Sequence, residues 1–527
     1  MSCVELLYLD ETRLAEQHAG DFPEVCVFLN VLSAWRGGKT ACSLLVVLSG
    51  TWLSPVRRVL LDRRFHELTF SHCANQHLVR TSMLDTIDRL ESNVRGYVRS
   101  FPTVFDTASG ALLTGKNGRS YIDFFAGAGT LNYGHNNPLA KDALLDYISR
   151  DGVQHGLDTA TTAKVDFLEK LETIILQPRD MDYKVQFTGP TGTNSVEAAI
   201  KLARKTKRRS HVIAFTNAYH GHSLGALALT GNEYYHSEFY DSHNNVTHLP
   251  FDGFAGDSCD SAKLLEQMLD DVSSGVPRPA AVILETIQCE GGINVASNEW
   301  LQEVARICHE RDILLIVDDI QVGNGRTGTF FSFEESGIRP DMICLSKSIG
   351  GGLPMSLVLI SPELDTWSPG EHTGTFRGNN LAFVASSALL EYWRTDELSH
   401  SVIENGRTIQ SRLQSIVDEF HTHDFSIRGR GMVWGLDVGS GELADKIVAD
   451  CFSQGLVIET AGALGNVVKV LPSLTIESEL LDAGLQILQA ACRAVIADGI
   501  SRIADEPKLR ESITERESFC REAAESE

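Results

Sequence analysis

Paired cysteines, basic charge and long apolar runs are what this 527-residue chain lacks. Its eleven cysteines are scattered with no Cys-x-x-Cys pair, which indicates neither a zinc knuckle nor a disulfide framework. A reducing, cytoplasmic compartment is the expectation. Lysine and arginine number 46 against 70 acidic residues, and the net charge of -24 excludes a nucleic-acid backbone binder. No uninterrupted apolar run approaches the ~20 residues that cross a bilayer, so no membrane partner is expected. Repeats and low-complexity segments are missing, and no His-rich set accompanies the acids, so no metal is expected. What remains is an ordinary globular composition, 43% hydrophobic and 22% charged, long enough for two or more domains.

The first 82 residues stand apart. Eight basic and eight acidic residues balance there, so residues 83–527 carry the whole net charge. Acids rather than a basic n-region open the segment, which speaks against a secretory leader, and no helix-turn-helix pattern is visible in it. Met83-Leu-Asp-Thr-Ile-Asp-Arg-Leu reads like a natural start. Residues 1–82 are therefore expected to be an extension, poorly ordered, that the fold does not need. Residues 502–527, interrupted by Pro507, read as a charged helix or frayed tail.

Between these ends the pattern is regular. Short strands flank Asn117-Gly118, a hairpin signal, and Pro138 to Ser149 reads as a helix. Lys184–Thr188, His211–Phe215, Ala280–Glu285 and Ile313–Asp318 read as buried strands, with helices over Thr193–Lys207 and Glu299–Arg311 between them. The alternation predicts an α/β fold with a mostly parallel sheet covered on both faces, over residues 151–390. Residues 83–150 and 391–501 are expected to form a smaller α+β domain.

In open α/β sheets ligands gather at the carboxyl ends of strands. Four such ends carry chemistry here. Gly189-Pro-Thr-Gly-Thr-Asn194 turns into a helix whose free N–H groups suit a phosphate, although the same residues also cap helices without a ligand. Tyr219 offers a face for a planar ring or for ordinary packing. Asp318 and Asp319 end a buried strand, where an acid needs a cation, a protonated pyridine nitrogen among the possibilities. Lys347 ends an apolar run before Gly350-Gly-Gly352, a structural turn or a buried amine set to react with a carbonyl. Phosphate site, stacking face, anion and amine are together what pyridoxal phosphate requires.

These residues resemble the class III aminotransferases, of the fold-type I architecture with a seven-stranded large-domain sheet. Glu285-Thr-Ile-Gln-Cys-Glu290-Gly-Gly is similar to the family's Glu-Pro-Ile-Gln-Gly-Glu-Gly-Gly. Leu315 to Gly328 resembles its Asp-Glu-Val-Gln-Thr-Gly-Phe-Gly-Arg-Thr-Gly segment. Ser346-Lys347 with Gly350-Gly-Gly-Leu-Pro354 matches its cofactor-lysine motif, and His372-Thr-Gly-Thr375-Phe376 its His-Gly-Ser-Thr-Phe. The likeness runs from Arg89 to Ile496. It implies that Lys347 holds pyridoxal 5′-phosphate covalently and shuttles the proton, while Asp318 keeps the pyridine nitrogen protonated. Gln321 would lie by the ring's phenolic oxygen, Tyr219 on its face and His220 beside it. Gly192 and Thr193 would bind the phosphate, joined by Thr375 of a neighbouring subunit, which makes the active form a homodimer.

Substrate residues are less fully matched. Glu285 and Glu290 correspond to family acids near the substrate. His222 stands where many members have arginine, and Lys469 where ornithine-type members bind a carboxylate with arginine; lysine lacks the bidentate fork. Arg95, Arg99 and Arg430 are further candidates for holding carboxylates. Glu91–Pro102, Phe187–Glu197 and Leu227–Asn232 resemble the branch that moves the amino group of L-glutamate to L-aspartate 4-semialdehyde, as in ectoine biosynthesis. Ornithine- or 4-aminobutyrate-type transfer, a 1,2-aminomutase and diaminobutyrate supply for siderophores stay open.

Overall fold

The alternation of buried apolar runs with amphipathic helices is realised in the computed structural model, which describes residues 27–36, 39–48, 83–240, 245–256 and 259–505. Contacts divide the chain into Met1–Arg80 and Thr81–Glu527. In the first unit Val27–Arg36 pairs antiparallel with Lys39–Leu48, from Val27 opposite Leu48 to Arg36 opposite Lys39. Two β-rich runs around Gly37-Gly38 carry the residue types of a hairpin. The rest of residues 1–82, and the tail 506–527, lie outside the described residues.

The second unit is built on a seven-stranded sheet. Its strands are β1 (Lys184–Phe187), β2 (Val212–Phe215), β3 (Val246–Leu249), β4 (Ala281–Leu284), β5 (Leu314–Asp318), β6 (Met342–Leu345) and β7 (Leu357–Ile360). They lie in the order β1-β7-β6-β5-β4-β2-β3. All pairings are parallel except those of β7, which runs antiparallel between β6 and β1. Residues 346–356 are too short and too turn-rich for a crossover, so the chain can only return antiparallel. The fold class is the expected fold-type I arrangement.

Strands of this kind are apolar at every position because both faces are covered. Val212, Ala214, Ile283, Ile316, Cys344 and Val358 pack toward Val196, Ala199, Ile200 and Ala203 of helix Gly192–Lys207. The alternate residues Ile213, Phe215, Val282, Leu284, Leu315 and Val317 join the larger core, with Trp300, Leu301 and Val304 of helix Asn298–Glu310. Ser297 caps that helix by accepting from Trp300 N at 3.2 Å.

Two four-stranded sheets flank this core. In one, Ser120–Asp123 pairs in parallel with Leu456–Val457, joining segments more than 300 residues apart in sequence. In the other, Glu459 lies directly opposite Lys469. Helix Ser478–Asp505 contains the stretch Ser478–Ala497, long and apolar enough to cross a membrane by length and composition, unlike the expectation from uninterrupted runs. Leu481, Leu485, Leu488, Ala491 and Cys492 recur on one face and are buried in the core, as in a core helix.

Candidate active site

A cavity of about 260 Å³ opens where the carboxyl ends of the parallel strands meet. Each wall comes from the turn after a different strand: Thr191 to Thr193 after β1, Tyr219 to His222 after β2, Glu285 after β4, Asp318 to Val322 from β5 onward, and Lys347 after β6.

Lys347 occupies the left-handed region with φ of +52°, just after the strand MICL ends. A non-glycine residue held there is strained, and the surrounding fold must impose it. Burial pushes its amine below the ordinary lysine value, partly opposed by Glu290, while the Lys469 charge lowers it further. More of the amine is thereby neutral, as attack on a carbonyl requires.

Asp318 and Asp319 are separated by strand alternation. Asp318 faces the cavity; its Oδ2 lies 2.8 Å from His220 Nδ1 and its Oδ1 accepts from Ile320 N at 3.2 Å. Asp319 turns away into the protein, bound by the hydroxyl of Ser332 and, at 3.2 Å, by Ser332 N. Burial raises the Asp319 carboxyl to about 7 in spite of these bonds. His220 is buried, and its Nε2 has no hydrogen-bond partner among the described residues.

At the start of helix Gly192–Lys207, Asn194 Oδ1 accepts from Thr191 N at 3.2 Å and from Thr191 Oγ1 at 3.0 Å. The first N–H groups of any helix lack an intrahelical acceptor, and those of Gly192 and Thr193 border the cavity. Tyr219 lines it too, edge-on to His222 at 5.4 Å and to Tyr235 at 5.7 Å between centroids. Glu285 accepts from Tyr219 N at 3.0 Å; burial and the Asp318 charge push it well above the usual carboxylate range.

Behind the cavity lies a buried charge cluster. Lys469 Nζ is 2.8 Å from both Glu290 Oε1 and Glu459 Oε1. Burial works against its charge, yet the two acids hold it well above the ordinary lysine value. Burial also opposes charge on Glu290, but Lys469 and Lys347, with hydrogen bonds from Lys469 and Gln321, bring it down to about 2. Gln321 Nε2 donates to Glu290 Oε1 and to Ala128 O, each at 2.9 Å.

The cavity therefore gathers Lys347, Asp318, Gln321, Gly192, Thr193, Tyr219, His220 and Glu285. Other candidates lie elsewhere. Arg430 donates to Ser332 O at 2.6 Å and pairs with Glu335. Arg95 pairs with Asp88 at 2.7 Å, and Arg99 donates to Asn93 O at 3.2 Å. Each of these arginines is occupied by its own neighbourhood and none borders the cavity. Lys469 is matched by two acids rather than open to a substrate. Thr375 sits on an exposed loop where its carbonyl meets His155 Nε2 at 2.9 Å. Sequence reading missed Ile287, Ile320 and Val322, the apolar lining of the cavity, and Glu459, the second partner of Lys469. Ile320, between Asp319 and Gln321, was within reach of the same strand-end reasoning; Glu459 carries no motif.

Comparison with known proteins agrees with this geometry. Residues 95–492 match the family described as Aminotransferase class-III. The chain is 56% identical over 418 residues to the diaminobutyrate--2-oxoglutarate transaminase of Wolinella succinogenes, covering 79% of this chain and 98% of that protein. It is 53% identical over 421 residues to the protein of that name from Bordetella parapertussis, covering 79% and 96%. Among solved structures, the ornithine aminotransferase of Toxoplasma gondii superposes with a TM-score of 0.69 at 25% identity, covering 79% of this chain and 95% of that one.

Proposed function

The chain belongs to the class III aminotransferases, and on that premise we propose that it transfers the amino group of L-glutamate to L-aspartate 4-semialdehyde, giving L-2,4-diaminobutyrate and 2-oxoglutarate. The observation that carries the substrate reading is the 56% identity spread over 98% of the Wolinella transaminase. The use of diaminobutyrate in ectoine-type biosynthesis goes with the same reading.

Pyridoxal 5′-phosphate is the cofactor, and when bound it supplies an electron sink that lets an amino group leave one carbon and arrive at another. The residues lining the cavity fit it: a buried imidazole whose Nε2 has no hydrogen-bond partner among the described residues, an anion, an amine and the first residues of a helix meet there. In this reading Lys347 Nζ anchors the cofactor and carries the proton to and from the substrate carbon. Asp318, aligned by His220, holds a proton on the pyridine nitrogen. Tyr219 would cover one ring face, Gln321 would lie by the phenolic oxygen, and Gly192 and Thr193 would take the phosphate. Glu285 borders the substrate's space, and Glu290 stands behind it with Lys469 and Gln321.

Glutamate brings two carboxylates, and the cations identified near the cavity are already committed: Lys347 to the cofactor and Lys469 to two acids. We assign the missing contacts to a second copy of the chain, in a homodimer. The exposure of Thr375 and of Phe376 beside it, 68% accessible, supports a loop that reaches into a partner's site. Unpaired Cys289, Cys308, Cys344, Cys451 and Cys492 support a reducing, cytoplasmic setting.

The test offers the purified protein glutamate with aspartate, glutamate or succinate semialdehyde and follows 2-oxoglutarate. Aspartate semialdehyde should give the highest kcat/KM; equal or better use of either alternative overturns the assignment. Lys347→Ala should abolish turnover, and borohydride should fix a cofactor-sized mass on the Lys347 peptide in the wild type alone.

A further inference from the structure

The Thr193 hydroxyl belongs to a hydrogen-bond chain that ends on a carboxylate. Thr193 Oγ1 lies 2.5 Å from Ser223 Oγ, and Ser223 Oγ donates to Glu197 Oε1 at 2.6 Å. The same glutamate oxygen accepts from Ala226 N at 3.0 Å, and Ser223 N approaches Thr193 Oγ1 at 3.3 Å. Order follows from donor count. A carboxylate only accepts, and a serine hydroxyl has one proton. With that proton on Glu197, Ser223 Oγ meets Thr193 as an acceptor, so the Thr193 proton points to Ser223.

The backbone is shaped around this chain. A Cβ at Gly221, whose φ is +123°, would stand 2.5 Å from Thr193 Oγ1; one at Gly225 would stand 2.4 Å from Glu197 Oε2. Both glycines allow the turn after β2 to close over helix Gly192–Lys207. Thr193 borders the cavity, whereas Ser223 and Glu197 stand behind it.

We propose that Ser223 and Glu197 are positioning residues for the cofactor phosphate: they fix the rotamer and proton order of Thr193, which then answers a phosphate with one hydroxyl rotation. The proposal rests on the reading of Gly192 and Thr193 as the phosphate subsite. Glu197 does not touch the phosphate; Ser223 stands between the two anions. When the Thr193 proton turns to a phosphate oxygen, Ser223 keeps its bond to Glu197 and Ser223 N still donates to Thr193 Oγ1, so the threonine rotamer is held while the two hydroxyl oxygens, left without a proton between them, move apart from 2.5 Å.

Binding of two ligands to apoenzyme tests this, read by protein fluorescence and visible absorbance: pyridoxal 5′-phosphate, and pyridoxal, which lacks the phosphate. Thr193→Val and Ser223→Ala should each weaken pyridoxal 5′-phosphate binding about tenfold, the scale of one charge-assisted hydrogen bond, and leave pyridoxal binding unchanged. Ser223→Thr should restore wild-type affinity, and Glu197→Gln should weaken the phosphorylated ligand selectively. If Ser223→Ala weakens both ligands alike, the role is merely structural and the proposal falls. If Thr193→Val matters and Ser223→Ala does not, the relay is wrong while the phosphate subsite stands. If Thr193→Val changes neither, the phosphate reading itself fails.

Discussion

Lys469 holds two acids, the buried Glu459 and the half-buried Glu290, and its removal should show in stability before it shows in chemistry. Lys469→Met leaves both carboxylates without their cation, a change that typically costs about 3–5 kcal/mol. The pH dependence has a definite sign. Glu290 is depressed from 4.5 to about 2, so its contribution is complete above 4.5 and is lost as pH falls toward 2. The gap between wild type and Lys469→Met, measured by urea denaturation, should therefore be widest near neutrality and narrow below about pH 4.5; a gap independent of pH would refute the pairing. Motif reading marked Lys469 as an imperfect stand-in for a carboxylate-binding arginine. Its actual partners lie across a strand pair and behind the cavity, at separations along the chain that no local pattern encodes. Asp318 and Asp319 give the complementary case. Both acids were legible at the strand end and the resemblance singled out Asp318; the physical reason that it faces the cavity is how β5 is rotated within the sheet.

At the scale of elements, close backbone approach decides what propensity cannot. Gly406 lies inside helix Glu397–Glu419, where alanine is the better helix former by about 1 kcal/mol. A Cβ there would stand 2.3 Å from the carbonyl oxygen of Gly431. Gly406→Ala should accordingly lower stability, by about 1–3 kcal/mol as for other overpacked positions; a raised denaturation midpoint would mean that the helix can move off the turn freely. The strands of the central sheet were mostly readable because continuous apolar runs announce them. β3 and β7 escaped notice. Val246-Thr-His-Leu249 has a polar centre, and Leu357–Ile360 follows β6 without the helix that marks a parallel crossover.

For the whole molecule, the family model begins at residue 95 and contacts divide the chain after Arg80. A chain beginning at Met83 should keep the thermal midpoint and kcat/KM of the full chain; loss of either would show that the first unit is needed by the second. The sequence by itself determined the cofactor chemistry and the order of its parts, since strand-end glycines, acid and lysine must recur in sequence wherever a parallel sheet offers a phosphate site, an anion and an amine. It also determined most of the sheet, because burial on both faces demands uninterrupted apolar strands. Only the tertiary structure decided that Lys469 is enclosed by Glu290 and Glu459 and that Glu197 reaches Thr193 through Ser223. Those relations join residues from different elements, and their distances are set by packing rather than by spacing along the chain.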